Sequence, residues 1–138
     1  MHFRLIDRVI ERQASRLVAV KQVSLSEEYL QDHFPTFPVL PGVLMLEAMT
    51  QAARELADPG GEANPPLVLG GVRALKYGRF VTPGSTIRVT VERKSEAGKT
   101  PVDCKGTVEI VGEGGGVAAS GRISLRPAVV PSMDAAGR

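Results

Sequence analysis

The segment DHFPTFPVLPGVLMLEAMTQAAREL, residues 32–56, combines residue types that act in acid–base catalysis. His33 stands at the edge of a proline-rich loop, and Glu47 stands in the first half of the apolar stretch that follows. A neutral imidazole accepts a proton near neutral pH, and a protonated carboxyl group donates one. The two side chains could therefore remove a proton from one atom of a substrate and deliver a proton to another.

The surroundings of Glu47 permit two interpretations. Its neighbours in VLMLEAM are apolar, and burial among them would keep the carboxyl group protonated to a higher pH. Glu47 also shares a helical face with Thr50, Gln51, Arg54 and Glu55, which is typical of a stripe that faces solvent. On either interpretation, Gln51 lies one turn further along the helix, where it can hydrogen-bond the Glu47 carboxyl group. The sequence leaves both interpretations open.

His33 and Gly42 also have simpler explanations than catalysis. A histidine beside Phe34 is compatible with a packed or capping role. Gly42 follows Pro41 at the predicted helix start, where unpaired N–H groups and the positive end of the helix dipole favour an anionic oxygen. Glycine lets a ligand approach this backbone closely, although the Pro-Gly pair could serve only to turn the chain into the helix.

The composition indicates one globular domain rather than a membrane or nucleic-acid-binding protein. The chain has 138 residues, of which 43% are hydrophobic and 23% charged, with a formal net charge of +2. Aromatic residues make up 4% of the chain, too few for a base-stacking surface. A single cysteine, Cys104, excludes an internal disulfide and a cysteine-rich metal site, and we expect it to pack as a small apolar residue. No signal peptide or membrane span is recognisable, so the expected location is the cytoplasm.

Hydrophobic periodicity and turn residues predict an α+β protein. Residues 3–13 and 15–25 alternate as strands, and Ser26 is a candidate N-cap for one short helical turn. A helix is expected from about 41 to 57, ending at DPGG. Four more strands are expected within residues 67–81, 85–95, 102–112 and 116–127. The arrangement predicts one domain over 1–127, an antiparallel sheet curled around one long helix, and a flexible tail over 128–138.

The stretch HFPTFPVLPGVLMLEAMTQAA closely resembles the signature of the β-hydroxyacyl-acyl carrier protein dehydratases of the FabZ type. The resemblance extends over residues 3–126, with FRLIDRV similar to the family's first strand and GGVRALKYGRFVTPGSTIRVTVE similar to the strand pair after its helix. It implies the hotdog fold and a homodimer, often a trimer of dimers, with two sites at the subunit interface. By position, His33 would be the catalytic histidine and Glu47 the catalytic acid. Gly42 would supply an oxyanion-hole N–H, and Gln51 would support Glu47.

The activity implied by this resemblance is the removal of water from (3R)-3-hydroxyacyl-acyl carrier protein thioesters to give trans-2-enoyl thioesters, in fatty acid or related acyl-chain synthesis. It requires no metal and no cofactor. Arg73, Lys76 and Arg79 are candidates for docking the acidic carrier protein, and they are equally consistent with ordinary solvated strand charges. The alternatives are a hotdog acyl thioesterase and a non-catalytic acyl-binding hotdog subunit.

The sequence departs from the family pattern at several positions. Thr36 follows His-Phe-Pro where the family commonly has glycine, and a β-branched residue is unsuited to a positive φ. Phe80 stands where proline is frequent, and Arg73 where an acidic residue is common. Tyr77 and Phe80 could line an acyl tunnel, but we expect them to pack in the core.

Overall fold

Six strands and one long helix make up most of the regular secondary structure of the described residues. The computed structural model describes residues 4–30, 33–34, 36–112 and 114–129. The strands are β1 Arg8–Arg12, β2 Arg16–Gln22, β3 Leu67–Tyr77, β4 Thr86–Arg93, β5 Val102–Ile110 and β6 Val117–Pro127. The helix α1 is Gly42–Ala57, and a 3₁₀ turn, Glu28–Leu30, precedes it. Every strand predicted from the alternating pattern is present, and the predicted helix is confirmed.

All six strands form one antiparallel sheet in the order β1-β2-β4-β5-β6-β3. Each strand joins its neighbours through antiparallel pairing, as the short connections predicted. In the single chain, β1 and β3 are therefore the two edges of the sheet. The predicted α+β class is confirmed.

The helix α1 lies against one face of the sheet. Pro41 is its N-cap, and its end is followed by Gly60 and Gly61 with φ of 82° and 67°. The buried residues of the helix are Met45, Ala48, Met49, Thr50, Ala52, Ala53 and Leu56. Gly106 of β5 lets the helix approach closely, because a Cβ atom there would lie 2.6 Å from the Met49 sulfur.

The alternation in β2 directs side chains as predicted. Leu17, Ala19 and Lys21 are buried on the helix side of the sheet.

The predicted turn after β2 is present as the 3₁₀ turn, but the Ser26 hydroxyl bonds the hydroxyl of Ser24. The last strand ends at Pro127, and residues 130–138 of the predicted tail lie outside the described residues. Within the described ranges, no helix has the length and apolar character to span a bilayer.

Candidate active site

A mostly apolar cavity of about 440 Å³ lies where the proline-rich loop, the start of α1 and the end of β3 meet. Its volume falls within the range of small-molecule sites. It is lined by His33, Phe34, Val39, Leu40, Gly42, Val43, Met45, Tyr77, Gly78, Arg79 and Phe80. The structure therefore brings two of the residues predicted to act in catalysis, His33 and Gly42, to one cavity.

The imidazole of His33 is held by the backbone of the same loop. Its Nδ1 lies 3.1 Å from the carbonyl oxygen of Val39, and the Val39 N–H donates to the His33 carbonyl at 2.8 Å. A carbonyl oxygen only accepts hydrogen bonds, so this contact assigns the proton to Nδ1. The ring also stacks on Phe34, with centroids 4.5 Å apart. In this tautomer Nε2 keeps a lone pair and is able to accept a proton.

The loop that carries His33 closes on itself through backbone hydrogen bonds. Phe34 and Phe37 exchange two backbone hydrogen bonds of 3.2 and 3.0 Å, which closes a tight turn around Thr36.

Gly42 begins the helix with its N–H directed out of the helical hydrogen-bond pattern. The first bonds of the helix run from the N–H groups of Leu44 and Met45 to the Pro41 carbonyl, at 3.0 and 3.3 Å. A Cβ atom on Gly42 would lie 2.8 Å from two ring carbons of Tyr77. Glycine is thus required here for the Tyr77 ring to cover the helix start, a reason that the sequence did not reveal.

Glu47 is half-exposed in the single chain, so of the two interpretations left open by the sequence, burial among apolar neighbours is not observed. Its side chain is 41% exposed. The Gln51 amide donates to the carboxylate at 3.3 Å, as predicted, and a guanidinium nitrogen of Arg54 lies 3.6 Å from the same oxygen. The Gln51 oxygen accepts from the N–H of Leu5 at 2.8 Å, which orients the amide. Glu47 has polar neighbours because Gln51 and Arg54, four and seven positions further along the helix, lie on the same face.

Thr50 departs from the interpretation of this face as a solvent-facing stripe. Only 1% of it is exposed, and its hydroxyl donates to the Leu46 carbonyl at 2.9 Å. This face of the helix therefore divides at Thr50 into a buried edge and the half-exposed edge that carries Glu47, Gln51 and Arg54.

Within one chain, the structure separates the two predicted catalytic side chains. His33 lines the cavity, whereas Glu47 and Gln51 are not among its lining residues. Arg54, whose interaction with Glu47 the sequence analysis missed, could have been found from the seven-residue spacing along the helix.

Tyr77 and Phe80 border the cavity instead of packing in the core, and the prediction of core packing is wrong. They are 52% and 73% exposed. Phe80 meets Phe37 edge to face, with ring centroids 6.3 Å apart. The physical reason is the position of β3 at the edge of the sheet, where no further strand among the described residues covers these rings.

The three basic residues that are candidates for carrier docking do not lie together. A β-bulge with Ala74 at φ 53° lies between Arg73 and Lys76, so both side chains fall on the sheet face opposite the helix. Arg79 lies beyond the strand end, where it lines the cavity and donates to the Gly114 carbonyl at 3.1 Å. All three are exposed.

The strand register places two further cations, Arg122 and Lys105, on the same part of the sheet as Arg73. The sequence analysis did not identify them. Arg122 of β6 pairs with Arg73 on one side and with Lys105 of β5 on the other. Arg73 and Arg122 line a groove of about 380 Å³, and Lys76, Lys105 and Arg122 line a smaller one of about 150 Å³. We call Arg73, Lys76, Lys105 and Arg122 the cationic row. Among the described residues, no member of this row forms a salt bridge.

Cys104 packs in the core, as predicted, with 1% of its surface exposed. Burial raises the pKa of its thiol to about 11, although the nearby charge of Arg93 opposes part of this effect. The described residues contain no group of three or more His, Cys, Asp or Glu side chains arranged to hold a metal ion.

The chain belongs to the family of FabA-like domains, which it matches over residues 1–119. It is similar to the 3-hydroxyacyl-[acyl-carrier-protein] dehydratase FabZ of Ruminiclostridium cellulolyticum, with 39% identity over 129 residues, 89% of this chain and 85% of that protein. It is also similar to the FabZ dehydratase of Anaeromyxobacter dehalogenans, with 42% identity over 101 residues, 70% of this chain and 65% of that protein.

The same architecture occurs in solved structures. The dehydratase domain of the polyketide PpsC from Mycobacterium tuberculosis superposes with a TM-score of 0.66 at 18% identity, over 94% of this chain and 46% of that one. At this identity the likeness concerns the fold alone. The hotdog fold expected from the sequence is confirmed.

Proposed function

We propose that this chain is a 3-hydroxyacyl-acyl carrier protein dehydratase, which converts (3R)-3-hydroxyacyl thioesters to trans-2-enoyl thioesters in fatty acid or related acyl-chain synthesis. The observation that carries the proposal is the meeting of the His33 imidazole and the Gly42 helix start at one apolar cavity. Membership of the FabA-like family and the names of the similar FabZ enzymes support the same reaction.

Two obstacles define the chemistry. The C2 proton of a 3-hydroxyacyl thioester is weakly acidic, and hydroxide is a poor leaving group. His33 Nε2 removes the C2 proton, since the Nδ1 proton is engaged by Val39. The N–H at Gly42 stabilises the enolate oxygen that develops on the thioester, and such a donor typically contributes about 10²–10³ in rate. Glu47, in its protonated form, donates to the departing C3 hydroxyl, which leaves as water.

The acid and the base of one site come from two chains in this proposal. His33 and Glu47 do not share the cavity of the single chain, and Glu47 is half-exposed on the helix surface. A two-fold homodimer would form two identical sites, each with His33 of one subunit and Glu47 of the other. The exposed rings of Tyr77 and Phe80 at the mouth of the cavity favour a covering partner. Such dimers could assemble further into a trimer of dimers.

The acyl carrier protein is the proposed donor of the substrate, and the cationic row is its proposed docking surface. Four cations without salt-bridge partners among the described residues favour an acidic partner. Arg122→Glu should reduce kcat/KM with carrier-bound substrate by about tenfold or more, because it places a like charge opposite the carrier.

The matched control for docking is Arg8→Glu, which reverses an exposed charge on β1, at the opposite edge of the sheet. It should leave kcat/KM with the carrier substrate unchanged. Both variants should process a small N-acetylcysteamine thioester at the wild-type rate. An equal loss for both variants would reflect net charge and would refute docking at the cationic row.

The experiment that tests the function is incubation with 3-hydroxyacyl thioesters, with chromatographic detection of enoyl thioester and colorimetric detection of free thiol. The proposal predicts enoyl thioester without free thiol. Free thiol would establish the thioesterase alternative. Neither product would favour the non-catalytic acyl-binding subunit.

A further inference from the structure

A cluster of ionisable groups surrounds the buried side chain of Lys21, at the end of β2. The side chain of Lys21 is 6% exposed, and its Nζ lies 2.5 Å from Oε1 of Glu27 and 3.7 Å from Oδ1 of Asp7. The phenol of Tyr29 donates to the other carboxylate oxygen of Glu27. We call Asp7, Lys21, Glu27 and Tyr29 the Lys21 cluster, in which the Asp7 side chain is 48% exposed. None of its members lines the cavity that contains His33.

Stability alone does not account for this cluster. An apolar residue at Lys21 would continue the buried pattern of Leu17 and Ala19, and a buried ion pair is often no more stabilising than apolar residues of the same volume. What the pair does provide is a fixed orientation of the Glu27 side chain, because donors contact both of its carboxylate oxygens. Burial raises the pKa of Tyr29, and the hydrogen bond to Glu27 raises it further, so the phenol keeps its proton and continues to donate.

The cluster includes residues in and beside the 3₁₀ turn that precedes His33 in the chain. Glu27 and Tyr29 belong to or adjoin the 3₁₀ turn, and Leu30, which ends that turn, is 1% exposed. His33 follows Leu30 by three positions, so the chain confines it to within about 10 Å of the turn. The placement of the turn therefore limits where His33 can lie.

The other side of His33 is attached to the sheet by backbone hydrogen bonds. Val39 bonds His33 in both directions, and the N–H of Leu40 donates to the carbonyl of Val81 at 2.8 Å. Val81 is fully buried. The loop thus has a backbone anchor after His33 and the Lys21 cluster before it. Catalysis is sensitive to such placement, since an error of 1 Å can reduce a rate by about 10²-fold.

We propose that Lys21 and Glu27 are positioning residues, whose buried ion pair holds the 3₁₀ turn so that the His33 imidazole is correctly placed for proton removal. This inference rests on the proposed function for its effect on rate. Its effect on the His33 ring is measurable without any assay of activity.

The test compares the folded enzyme with the double variant Lys21→Met/Glu27→Gln. This change removes both charges together, so no unpaired buried charge is left, and glutamine still offers Tyr29 an acceptor. We expect a melting temperature near that of wild type, a kcat at least tenfold lower and a KM within about twofold. Glu27→Asp keeps both charges but shortens the side chain, and it should give a smaller loss of kcat. It serves as the test if the double variant does not fold.

The matched control is Arg12→Met/Glu55→Gln, which removes an ion pair of 2.7 Å whose side chains are 41% and 35% exposed. It should leave kcat unchanged. The second measurement is the ¹⁵N spectrum of the imidazole, recorded in a His2→Gln background because the chain has two histidines. Wild type should show the single tautomer with the proton on Nδ1, and the double variant should show a mixture of tautomers.

The outcomes separate this inference from the proposed function. A lower kcat together with a changed His33 spectrum supports positioning. A wild-type kcat in the folded double variant overturns it, and so does a lower kcat with an unchanged spectrum, since the loss would then arise elsewhere. If wild type makes no enoyl product, the proposed function fails. The spectrum alone then decides whether the ion pair holds His33, and an unchanged spectrum refutes it.

Discussion

Glu47 has the proposed role of proton donor to the departing C3 hydroxyl. It is half-exposed in the single chain, and its carboxylate contacts Gln51 and Arg54. Glu47→Gln removes the proton donor but preserves an acceptor for Gln51, so we expect kcat to fall by about 10²–10⁴ with the melting temperature unchanged or slightly raised. Enoyl formation and thermal unfolding measure the two effects. Glu55→Gln, on the same helix, is the control, and near-wild-type turnover in Glu47→Gln would return Glu47 to the solvent-facing interpretation.

Cys104 gives a residue-scale prediction about stability and pH. Burial raises the pKa of its thiol from 9.0 to about 11 in the folded chain. Between these values the unfolded thiol loses its proton and the folded thiol keeps it, so the free energy of unfolding falls as the pH rises. Comparison of urea unfolding of wild type and Cys104→Ala at pH 8 and pH 11 isolates this contribution, expected to reach about 2 kcal/mol. An identical pH dependence in the two proteins would contradict it.

At the scale of elements, the contact of α1 with β5 depends on Gly106. A Cβ atom there would lie 2.6 Å from the Met49 sulfur, in a fully buried region. Gly106→Ala should therefore lower the free energy of unfolding by about 1–3 kcal/mol, as overpacking typically does. Met49→Ala leaves space for the new methyl group, so Gly106→Ala should cost less in that background. Urea unfolding of the four proteins measures this coupling, and purely additive effects would refute the contact.

The elements themselves could be predicted from the sequence because their signals are local. Alternation in residues 15–25 gave β2 and its buried face, and Pro41 with the DPGG segment gave the ends of α1. Local patterns do not contain strand register, so the pairing of Lys105 with Arg122 could not be foreseen. The close approach of Tyr77 to Gly42 is a tertiary contact and was likewise hidden.

The candidate site was only partly predictable for a related reason. The residue types at His33 and Glu47 suggested a pair, but their separation in the single chain depends on how the loop and helix pack. The sequence left the burial of Glu47 open, and the contact with Arg54, seven positions along the same helix, lies on the half-exposed side. Lys21 lies at a position where alternation predicts an inward side chain, yet its partners Glu27 and Asp7 come from two other segments.

At the scale of the whole molecule, the central claim is that His33 of one subunit and Glu47 of another form one acid–base site. His33→Ala and Glu47→Gln should each be inactive alone. In a mixed dimer, one site would contain both native residues and the other neither. Random pairing of equal amounts makes half of the dimers mixed, so about a quarter of all sites should be native.

The most direct measurement is therefore enoyl formation after the two inactive variants are unfolded together and refolded, with native mass spectrometry to count mixed dimers. The account predicts recovery of about a quarter of the wild-type activity, and no recovery when either variant is refolded alone. Mixed dimers that form in the expected proportion and stay inactive would contradict a site shared between subunits.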